Sequence, residues 1–392
     1  MTQDKTYKVS NVPPLRFPEF TGEWERIRVS DLLDFYTTNS LSWDQLEYEN
    51  TNILNLHYGL IHVGLPTLID MHYNKLPNIK QNNLPNSYEL CQEGDVAFAD
   101  ASEDTNEVAK VVEFFNLDGK QVVCGLHTIH GRDNSGKTIK GFKGYALSSQ
   151  PFHFQIRRLA QGTKIYSISS KNFSESFISL PSKTEQKKIV ALLSLLDQRI
   201  ATQIRVIDKL ESLIKGIRAT VFNNVQPNTK LGEIADIYQP QTIASTDCNR
   251  GQYLVFGANG VIGRYEQYNH EQPQICITCR GNTCGTVNFS EPFSWITGNA
   301  MVINIDNNKE VNKRYLFHYL STQNFHHIIS GSGQPQIVRS PLLKFPIYLP
   351  SMQTQVKLAE MLDLLRCRLK TEQDILEKYQ QQKAYLLQNM FI

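Results

Sequence analysis

The sequence predicts an α/β (α+β) protein in which two similar mixed α/β domains are separated by a long antiparallel two-helix coiled coil. Three observations predict it: the chain repeats itself, each repeat ends in a long heptad pattern, and short β-rich runs precede each heptad pattern. With 392 residues, the chain is long enough for two or three domains.

The repeat is clearest at Leu180-Pro181-Ser182, which recurs 169 residues later as Leu349-Pro350-Ser351. Further upstream, RIRVSDLLDFY at 26–36 resembles NTKLGEIADIY at 228–238. A period of this length indicates tandem domains and not a solenoid.

Each repeat ends in a long helix with two apolar seam positions. In the first helix nine of ten seam residues are aliphatic, and in the second eight of ten are apolar or aromatic. The first set is Leu193, Ile200, Ile207, Ile214, Val221 and Ile189, Leu196, Gln203, Leu210, Ile217. The second set is Leu362, Leu369, Leu376, Lys383, Met390 and Leu358, Leu365, Glu372, Tyr379, Leu386. Heptads sustained over this length predict a coiled coil.

The polar exceptions Gln203 and Glu372 occupy equivalent seam positions near the middle of their helices. If the helices pair antiparallel, these two residues face each other. We predict that they fix the register of the helices, as a polar seam residue can. The alternative is that a wet point in the seam merely tolerates them.

These patterns predict five segments. They are an extended N-terminal arm (1–20), a first domain (21–181), a first helix (182–224), a second domain (225–349) and a second helix (350–392). Ser182 followed by Glu185 predicts a capping box at the start of the first helix.

Composition excludes several classes of protein. Lys and Arg number 40 against 38 Asp and Glu, so the net charge of +2 excludes a protein that coats polyanions by bulk charge. Any nucleic-acid contact must come from local basic faces. Seven Cys residues without a framework spacing predict a reduced, cytoplasmic compartment. We expect neither a signal peptide nor a spanning helix.

Several segments together are similar to one family. In the first repeat they are Asp95–Asp104, Gly125–His130, Gly162–Ile168, Leu180-Pro181 and Glu185-Gln186-Lys187. In the second they are Gly257–Gly263, Arg280-Gly281-Asn282 and Cys284-Gly285. Their order, the repeat and the two helices resemble the specificity subunits of type I restriction-modification systems. The second helix departs from the family pattern, since Thr354 stands where an acidic residue precedes the Gln.

The resemblance implies a non-catalytic subunit with two target-recognition domains, each reading one half of a bipartite site in double-stranded DNA. It implies helices that set the spacing and dock two methyltransferase subunits, which restriction subunits join. It implies no cofactor on this chain, with AdoMet on the methyltransferase partner and ATP and Mg on the restriction partner. The alternatives are a protein-interaction scaffold without sequence-specific DNA binding, and a P-loop nucleotide-binding protein.

The P-loop alternative comes from Gly131–Thr138, which matches the pattern GxxxxGK[ST]. A P-loop must open a helix, whereas Gly141 and Gly144 follow within six residues. We favour a loop whose basic residues contact DNA phosphate. A mobile polar loop is the remaining alternative.

Cys276 and Cys279 form a CxxC motif with Cys284 and His270 nearby. A zinc site usually shows a second ligand pair at a set spacing. If Ile275–Cys279 is a strand, the first two thiols point to opposite faces. We therefore predict buried small residues here and no metal site.

The predicted DNA-contacting residues have side chains suited to phosphates and base edges. They are Arg132, Lys137, Lys140, Lys143 and Lys164 in the first domain, and Asn259, Arg264, Arg280, Asn282, Thr283, Gln334 and Gln336 in the second. We expect about half of them to face DNA. No spacing of nucleophile, base or acid predicts a catalytic site.

Overall fold

The computed structural model describes residues 11–48, 53–104, 107–162, 164–223, 225–244, 248, 250–257, 259–331 and 333–392. The chain divides into two compact units. The first unit comprises Met1–Thr202 with Leu376–Ile392, and the second comprises Gln203–Ile375.

The first unit contains strands β1 to β13 and helices α1 to α4. The strands are Glu25–Arg28, Asp34–Tyr36, Leu46–Glu47, Leu54–Leu56, Leu68–Asp70, Asn78–Ile79, Val96–Ala99, Ala101–Ser102, Val111–Asn116, Val122–Cys124, Thr128–Arg132, Tyr166–Ser167 and Phe177–Leu180. The helices are Tyr58–His62, Phe142–Leu147, Gln150–Leu159 and Ser170–Ser174.

Two mixed sheets form the centre of this unit. One has five strands in the order β2-β11-β7-β9-β5, and the other has four in the order β10-β4-β6-β3. Strand β7 is buried on both faces, because Val96 and Phe98 join one core cluster while Ala97 and Ala99 join another. A continuous apolar run is what a doubly covered strand requires.

The second unit contains strands β14 to β22 and helices α6 to α8. The strands are Thr229–Lys230, Asp236–Tyr238, Tyr253–Gly257, Gly260–Tyr265, Ile275–Thr278, Val287–Phe289, Trp295–Ile296, Ala300–Asn304 and Pro346–Ile347. The helices are Leu231–Ile234, Lys313–Leu320 and Arg339–Leu343.

The second unit is built on a four-stranded sheet, β15-β21-β18-β19, and a three-stranded sheet, β17-β16-β20. Strand β18 sends Ile275 and Ile277 into the main core and Cys276 into a second cluster. Cys279, just beyond the strand, joins the main core. Cys276 and Cys279 therefore lie in separate clusters, which does not support a shared zinc ion.

Two long helices complete the chain: α5 spans Lys183–Phe222 and α9 spans Met352–Asn389. In the first unit Lys383 of α9 forms an ion pair of 2.6 Å with Asp197 of α5. Nearer the start of α5, Glu185 binds Arg16, while the neighbouring Leu15 N–H donates to the Asn389 carbonyl. The two helices thus run antiparallel in this unit. The charged seam residue Lys383 is neutralised by Asp197.

In the second unit the helices are also antiparallel. Gln203 of α5 contacts Glu372 of α9, whereas Arg218 and Asp363 both hydrogen bond to the ring of His318. The prediction of mixed α/β domains with long antiparallel helices is confirmed.

The start of α5 differs from the predicted capping box. The Ser182 Oγ accepts from the Glu185 N–H at 3.3 Å, which is half of the box. The Glu185 carboxylate does not complete it but forms two hydrogen bonds of 2.7 Å with the Arg16 guanidinium. Arg16 belongs to the predicted arm, of which residues 1–10 lie outside the described residues.

The sequence repeat reappears as a repeated side-chain contact. Gln186 is buried; its side chain donates to the Pro181 carbonyl at 3.0 Å and accepts from the Ile139 N–H at 2.9 Å. Gln355, 169 residues later, donates to the Pro350 carbonyl at 2.9 Å and accepts from the Asn312 N–H at 2.8 Å. In each unit this glutamine therefore ties the start of a long helix to the segment before a short helix.

No helix among the described residues is long and apolar enough to cross a membrane.

Candidate nucleic-acid interface

One loop in each unit is closed by the same pair of backbone hydrogen bonds. In the first unit Gln161 and Ser167 exchange N–H···O bonds of 2.9 and 2.8 Å. In the second Ser330 and Gln336 exchange two bonds of 2.8 Å. The two pairs differ by the 169-residue offset of the sequence repeat. We call these loops, with their closing residues, the first and second closed loops.

A glycine follows the first residue of each closed loop. Gly162 has φ +135° and Gly331 has φ +95°, values that side chains disfavour. A Cβ on Gly162 would overlap the Ile165 carbonyl oxygen, and a Cβ on Gly331 would overlap that of Gln334. Only glycine fits either position. The residue after each glycine lies outside the described residues.

The second closed loop lies beside the segment that follows strand β18. The Gly281 N–H donates to the Pro335 carbonyl at 3.0 Å, and Arg280 forms an isolated bridge with Gln336. The exposed side chains of this surface include those of Arg280, Asn282, Thr283, Gln334 and Gln336. Five predicted site residues are therefore brought together. Arginine pairs well with guanine, and asparagine or glutamine pairs with adenine.

The other two predicted residues of this unit belong to the hairpin of β16 and β17. Asn259 is exposed in its turn. Arg264 is exposed on β17, and its guanidinium donates to the Gln252 carbonyl at 2.8 Å. Val261 and Ile262 on the same strand are each 54% exposed.

The first closed loop carries Lys164, which is exposed, and Ile165, which is 62% exposed. Its end, strand β12, pairs antiparallel with strand β8. Beside β8, the Asp100 carboxylate contacts the half-exposed His127 ring at 3.2 Å. Sequence reasoning missed Asp100 and His127 as site candidates, although both lie in the segments that carry the family resemblance.

Lys137 and Lys140 lie in the loop between β11 and α2; Lys137 is partly exposed, Lys140 is exposed, and both are paired. Lys137 contacts Glu25 at 3.1 Å and Lys140 contacts Glu93 at 2.8 Å. Such surface pairs are weak. Both lysines can exchange their carboxylate partners for DNA phosphates at small cost.

Arg132 is placed differently from the prediction. It lies on β11 and is buried, with two hydrogen bonds of 2.9 and 2.8 Å to the Asp95 carboxylate. It also pairs with Glu89 at 2.8 Å and stacks on the Tyr36 ring. Burial raises the pKa of Asp95, but hydrogen bonds from His130 and Arg132 outweigh it and hold that pKa below its usual value. This guanidinium is committed to the core of the unit, so we remove it from the interface.

Lys143 is likewise buried and is removed from the interface. Its ammonium lies 3.0 Å from the Thr138 hydroxyl and 3.5 Å from the Glu113 carboxylate. Glu113 accepts from the N–H groups of Gly141 and Gly144 at 2.7 and 2.6 Å. Burial raises the pKa of Glu113 despite these contacts.

The P-loop pattern does not form a phosphate cradle. The Asp133 carboxylate accepts from the Ser135 hydroxyl at 2.6 Å and from the N–H and hydroxyl of Thr138 at 2.8 and 2.6 Å. Helix α2 begins only at Phe142, after Gly141 in a left-handed conformation. The loop is therefore organised around its own carboxylate, which leaves the nucleotide-binding alternative without support.

The seam residues Gln203 and Glu372 are in contact. The Gln203 Nε2 donates to the Glu372 carboxylate at 2.5 Å and to the Glu372 carbonyl oxygen at 2.9 Å. Arg368 also binds this carboxylate, at 2.5 Å. Their role in fixing register stays a prediction.

Residues 74–212 and 225–381 each match the model of the type I restriction modification DNA specificity domain. Together these matches cover most of the chain. The chain belongs to this family.

Curated relatives include three specificity subunits. The Escherichia coli type I restriction enzyme EcoprrI specificity subunit is 28% identical over 28% of this chain and 27% of its own length. A Haemophilus influenzae putative type I restriction enzyme specificity subunit is 29% identical over 29% of this chain and 30% of its own length. This chain therefore spans less than a third of the length of these two relatives. A Mycoplasma pneumoniae putative type I specificity subunit is 30% identical over 62% of this chain and 67% of its own length.

Solved structures show the same fold. The type I restriction-modification system S subunit from M. genitalium is 18% identical, with a TM-score of 0.66, over 97% of this chain and 99% of its own. A chain from a study of assembly and conformational transition of the type I R-M system is 17% identical, with a TM-score of 0.55, over 95% and 98%.

Proposed function

We propose that this specificity-family chain reads a bipartite sequence in double-stranded DNA, with one half-site contacted by each unit. The observation that carries the proposal is the pair of closed loops, which recur at the repeat offset with the same backbone closure and the same obligatory glycine. Two similar readers suit a site made of two separate half-sites.

The contact surfaces proposed are the closed loops and the segments beside them. In the second unit these carry Arg280, Asn282 and Gln336, and in the first they carry Lys164 and His127. Lys137 and Lys140 supply phosphate contacts, since their present partners are weak surface carboxylates.

We further propose that α5 and α9 set the half-site spacing and dock two methyltransferase subunits. A continuous helix of 40 residues extends for roughly 60 Å and is stiffer than a flexible linker. Leu195 of α5 and Leu364 of α9 are 58% and 71% exposed, and they stand at the same repeat offset of 169 residues. Exposed leucines at matching positions support two similar docking sites.

The proposed role is recognition without catalysis. AdoMet belongs to the methyltransferase partner, and ATP with Mg²⁺ belongs to the restriction partner. A cytoplasmic location is proposed with it, supported by seven free thiols.

The test is to express the chain with its methyltransferase partner in a strain that lacks other adenine methylation, and to map methylated adenines across the genome. The expected result is one bipartite sequence with a constant spacer. Replacing Arg280 and Asn282 together with alanine should relax one half-site only, while Lys309→Ala, at an exposed residue of the same unit, should leave the sequence unchanged. If this chain does not redirect methylation at all, the scaffold alternative is correct.

A further inference from the structure

Three residues of the first unit that carry metal-ligand chemistry meet in its interior. Cys91, Cys124 and His130 are 6%, 1% and 0% exposed. One ligand atom from each, the two Sγ atoms and a ring nitrogen, lie within 4.8 Å of one another. The two Sγ atoms are 3.6 Å apart. None of the three was a site candidate from the sequence, because 33 residues separate the two cysteines and no CxxC pair marks them.

One ring nitrogen of His130 has a hydrogen-bond partner, and the other has none among the described residues. Its Nε2 lies 2.7 Å from the Asp95 Oδ2, while its Nδ1 is buried and has no hydrogen-bond partner among the described residues. A buried polar atom without a partner is rare in folded proteins. With Nε2 donating to the carboxylate, Nδ1 carries the lone pair that a metal ion needs.

The Asp95 contact is the kind of outer contact that orients metal-binding histidines. A ligating imidazole almost always donates its second N–H to a carboxylate, a carbonyl or water. Asp95 is itself held by two hydrogen bonds from Arg132, so its charge is already balanced. The ring of His130 therefore keeps its orientation whether or not a metal is bound.

We propose that Cys91, Cys124 and His130 form a binding site for a thiolate-preferring metal ion, namely Zn²⁺. Two sulfur ligands of one tetrahedral Zn²⁺, at bond lengths of about 2.3 Å, lie about 3.8 Å apart. The observed 3.6 Å separation of the sulfurs fits that geometry with little movement. Two thiolates and a neutral imidazole balance the charge of the ion, so the buried site carries no net charge.

The site joins the two sheets of the first unit. Cys124 lies on β10 of the four-stranded sheet and His130 on β11 of the five-stranded sheet. Cys91 follows Leu90, which pairs with Val123 in an isolated bridge. A bound ion held by these three residues, with a water molecule in the fourth tetrahedral position, would therefore cross-link three segments and stabilise the unit.

The test uses the full chain, purified with a phosphine reductant and freed of metal by a chelator. ZnCl₂ titration followed by desalting and elemental analysis should give about one Zn²⁺ per chain. CoCl₂ should give a sulfur-to-cobalt charge-transfer absorption band. Added Zn²⁺ should raise the melting temperature of the wild-type chain.

Cys124→Ser and His130→Gln should each weaken Zn²⁺ binding by about 10-fold or more. The matched control is Cys276→Ser, another buried thiol on a strand, which should bind as the wild type does. The wild-type cobalt spectrum tests the proposal even if a variant fails to fold. No zinc uptake by the wild type, or a Zn²⁺ affinity unchanged in both Cys124→Ser and His130→Gln, would overturn it.

Discussion

The buried histidine of the second unit, His318, is held by two charged partners. In the second unit the ring of His318, which has no exposed surface, lies between Arg218 and Asp363. A guanidinium has no acceptor, so it donates to His318 Nδ1 at 3.2 Å, and Nε2 then donates to the Asp363 carboxylate at 2.8 Å. Protonation of the ring would have to take place at Nδ1, which already accepts a hydrogen bond from the Arg218 guanidinium.

This arrangement predicts a pH dependence of stability. Burial lowers the pKa of His318 from 6.5 to about 4, and Asp363 only partly opposes this. Between these values the unfolded chain binds a proton that the folded chain does not. The contribution of neutral His318 to the free energy of unfolding is therefore complete above pH 6.5. About 3 kcal/mol of stability is lost as the pH falls from 6.5 towards 4. Urea unfolding at pH 7 and pH 5 should show about 2 kcal/mol of this loss, and His318→Gln should reduce it. The exposed His326→Gln should not, and an equal pH slope in both variants would refute the assignment.

A second prediction concerns Arg132 in the first unit. Arg132→Ala leaves the buried Asp95 carboxylate without its main cationic partner, which should lower the free energy of unfolding by about 3–5 kcal/mol. Lys137→Ala breaks only an exposed pair and should change it by less than about 1 kcal/mol. Urea denaturation followed by tryptophan fluorescence measures both. Equal effects would mean that Arg132 is not the structural cation described above.

The contrast between these two basic residues shows what the sequence could not resolve. Arg132 and Lys137 stand five residues apart in one basic segment, and residue type alone made both of them candidates for phosphate contact. Burial and partner separate them: Asp95 and Glu89, which hold Arg132, are about 40 residues away along the chain. Long-range pairing of this kind leaves no local signal.

The sequence predicted the long helices better than the contacts of single residues, because a helix leaves a local periodic pattern in the sequence. The heptads of α5 and α9 gave helices whose observed ends lie within three residues of the predicted ones. The Glu185 contact with Arg16 replaced half of the predicted cap, since a distant arm residue competes for that carboxylate. The closed loops were legible only as a glycine recurring at the repeat offset.

The second closed loop allows a matched pair of glycine substitutions. Gly331→Ala places a Cβ against the Gln334 carbonyl at a positive φ, so the loop must rearrange. Gly333→Ala meets nothing within 4 Å. We expect Gly331→Ala to weaken binding of a duplex with both half-sites intact by about 10-fold or more. Gly333→Ala should have little effect on this binding. Fluorescence anisotropy with the mapped duplex measures both variants. If both bind like the wild type, the second closed loop is not part of the interface.

The polar seam pair predicts an energetic coupling between the two long helices of the second unit. Gln203→Leu leaves the Glu372 carboxylate, which is 5% exposed, without one of its donors. It should lower stability by about 1.5–3 kcal/mol. The double variant Gln203→Leu with Glu372→Leu should recover part of this loss, giving a coupling of about 0.5–3 kcal/mol in a double-mutant cycle. The exposed Gln373→Leu is the control. A Gln203→Leu chain of unchanged stability would count against a register role.

For the whole molecule, the near-neutral charge limits the strength of the proposed DNA binding by the isolated chain. The net charge is +2, and two of the predicted cations are buried in ion pairs. The cations that remain accessible are the partly exposed Lys137 and the exposed Lys140, Lys164, Arg264 and Arg280. If about half of them meet phosphate, binding releases the counterions of about two or three phosphates.

This count predicts a shallow salt dependence for the isolated chain. A plot of log Kobs against log salt concentration should have a slope of about −2 to −3, so affinity falls by about 20- to 60-fold between 50 and 200 mM salt. Lys164→Ala should reduce the slope by about 1, whereas Lys309→Ala, outside the proposed surfaces, should leave it unchanged. Anisotropy titrations with the mapped duplex give both values. A slope steeper than about −6 requires more phosphate contacts than these five cations can make, and it would place the DNA on a surface other than the closed loops.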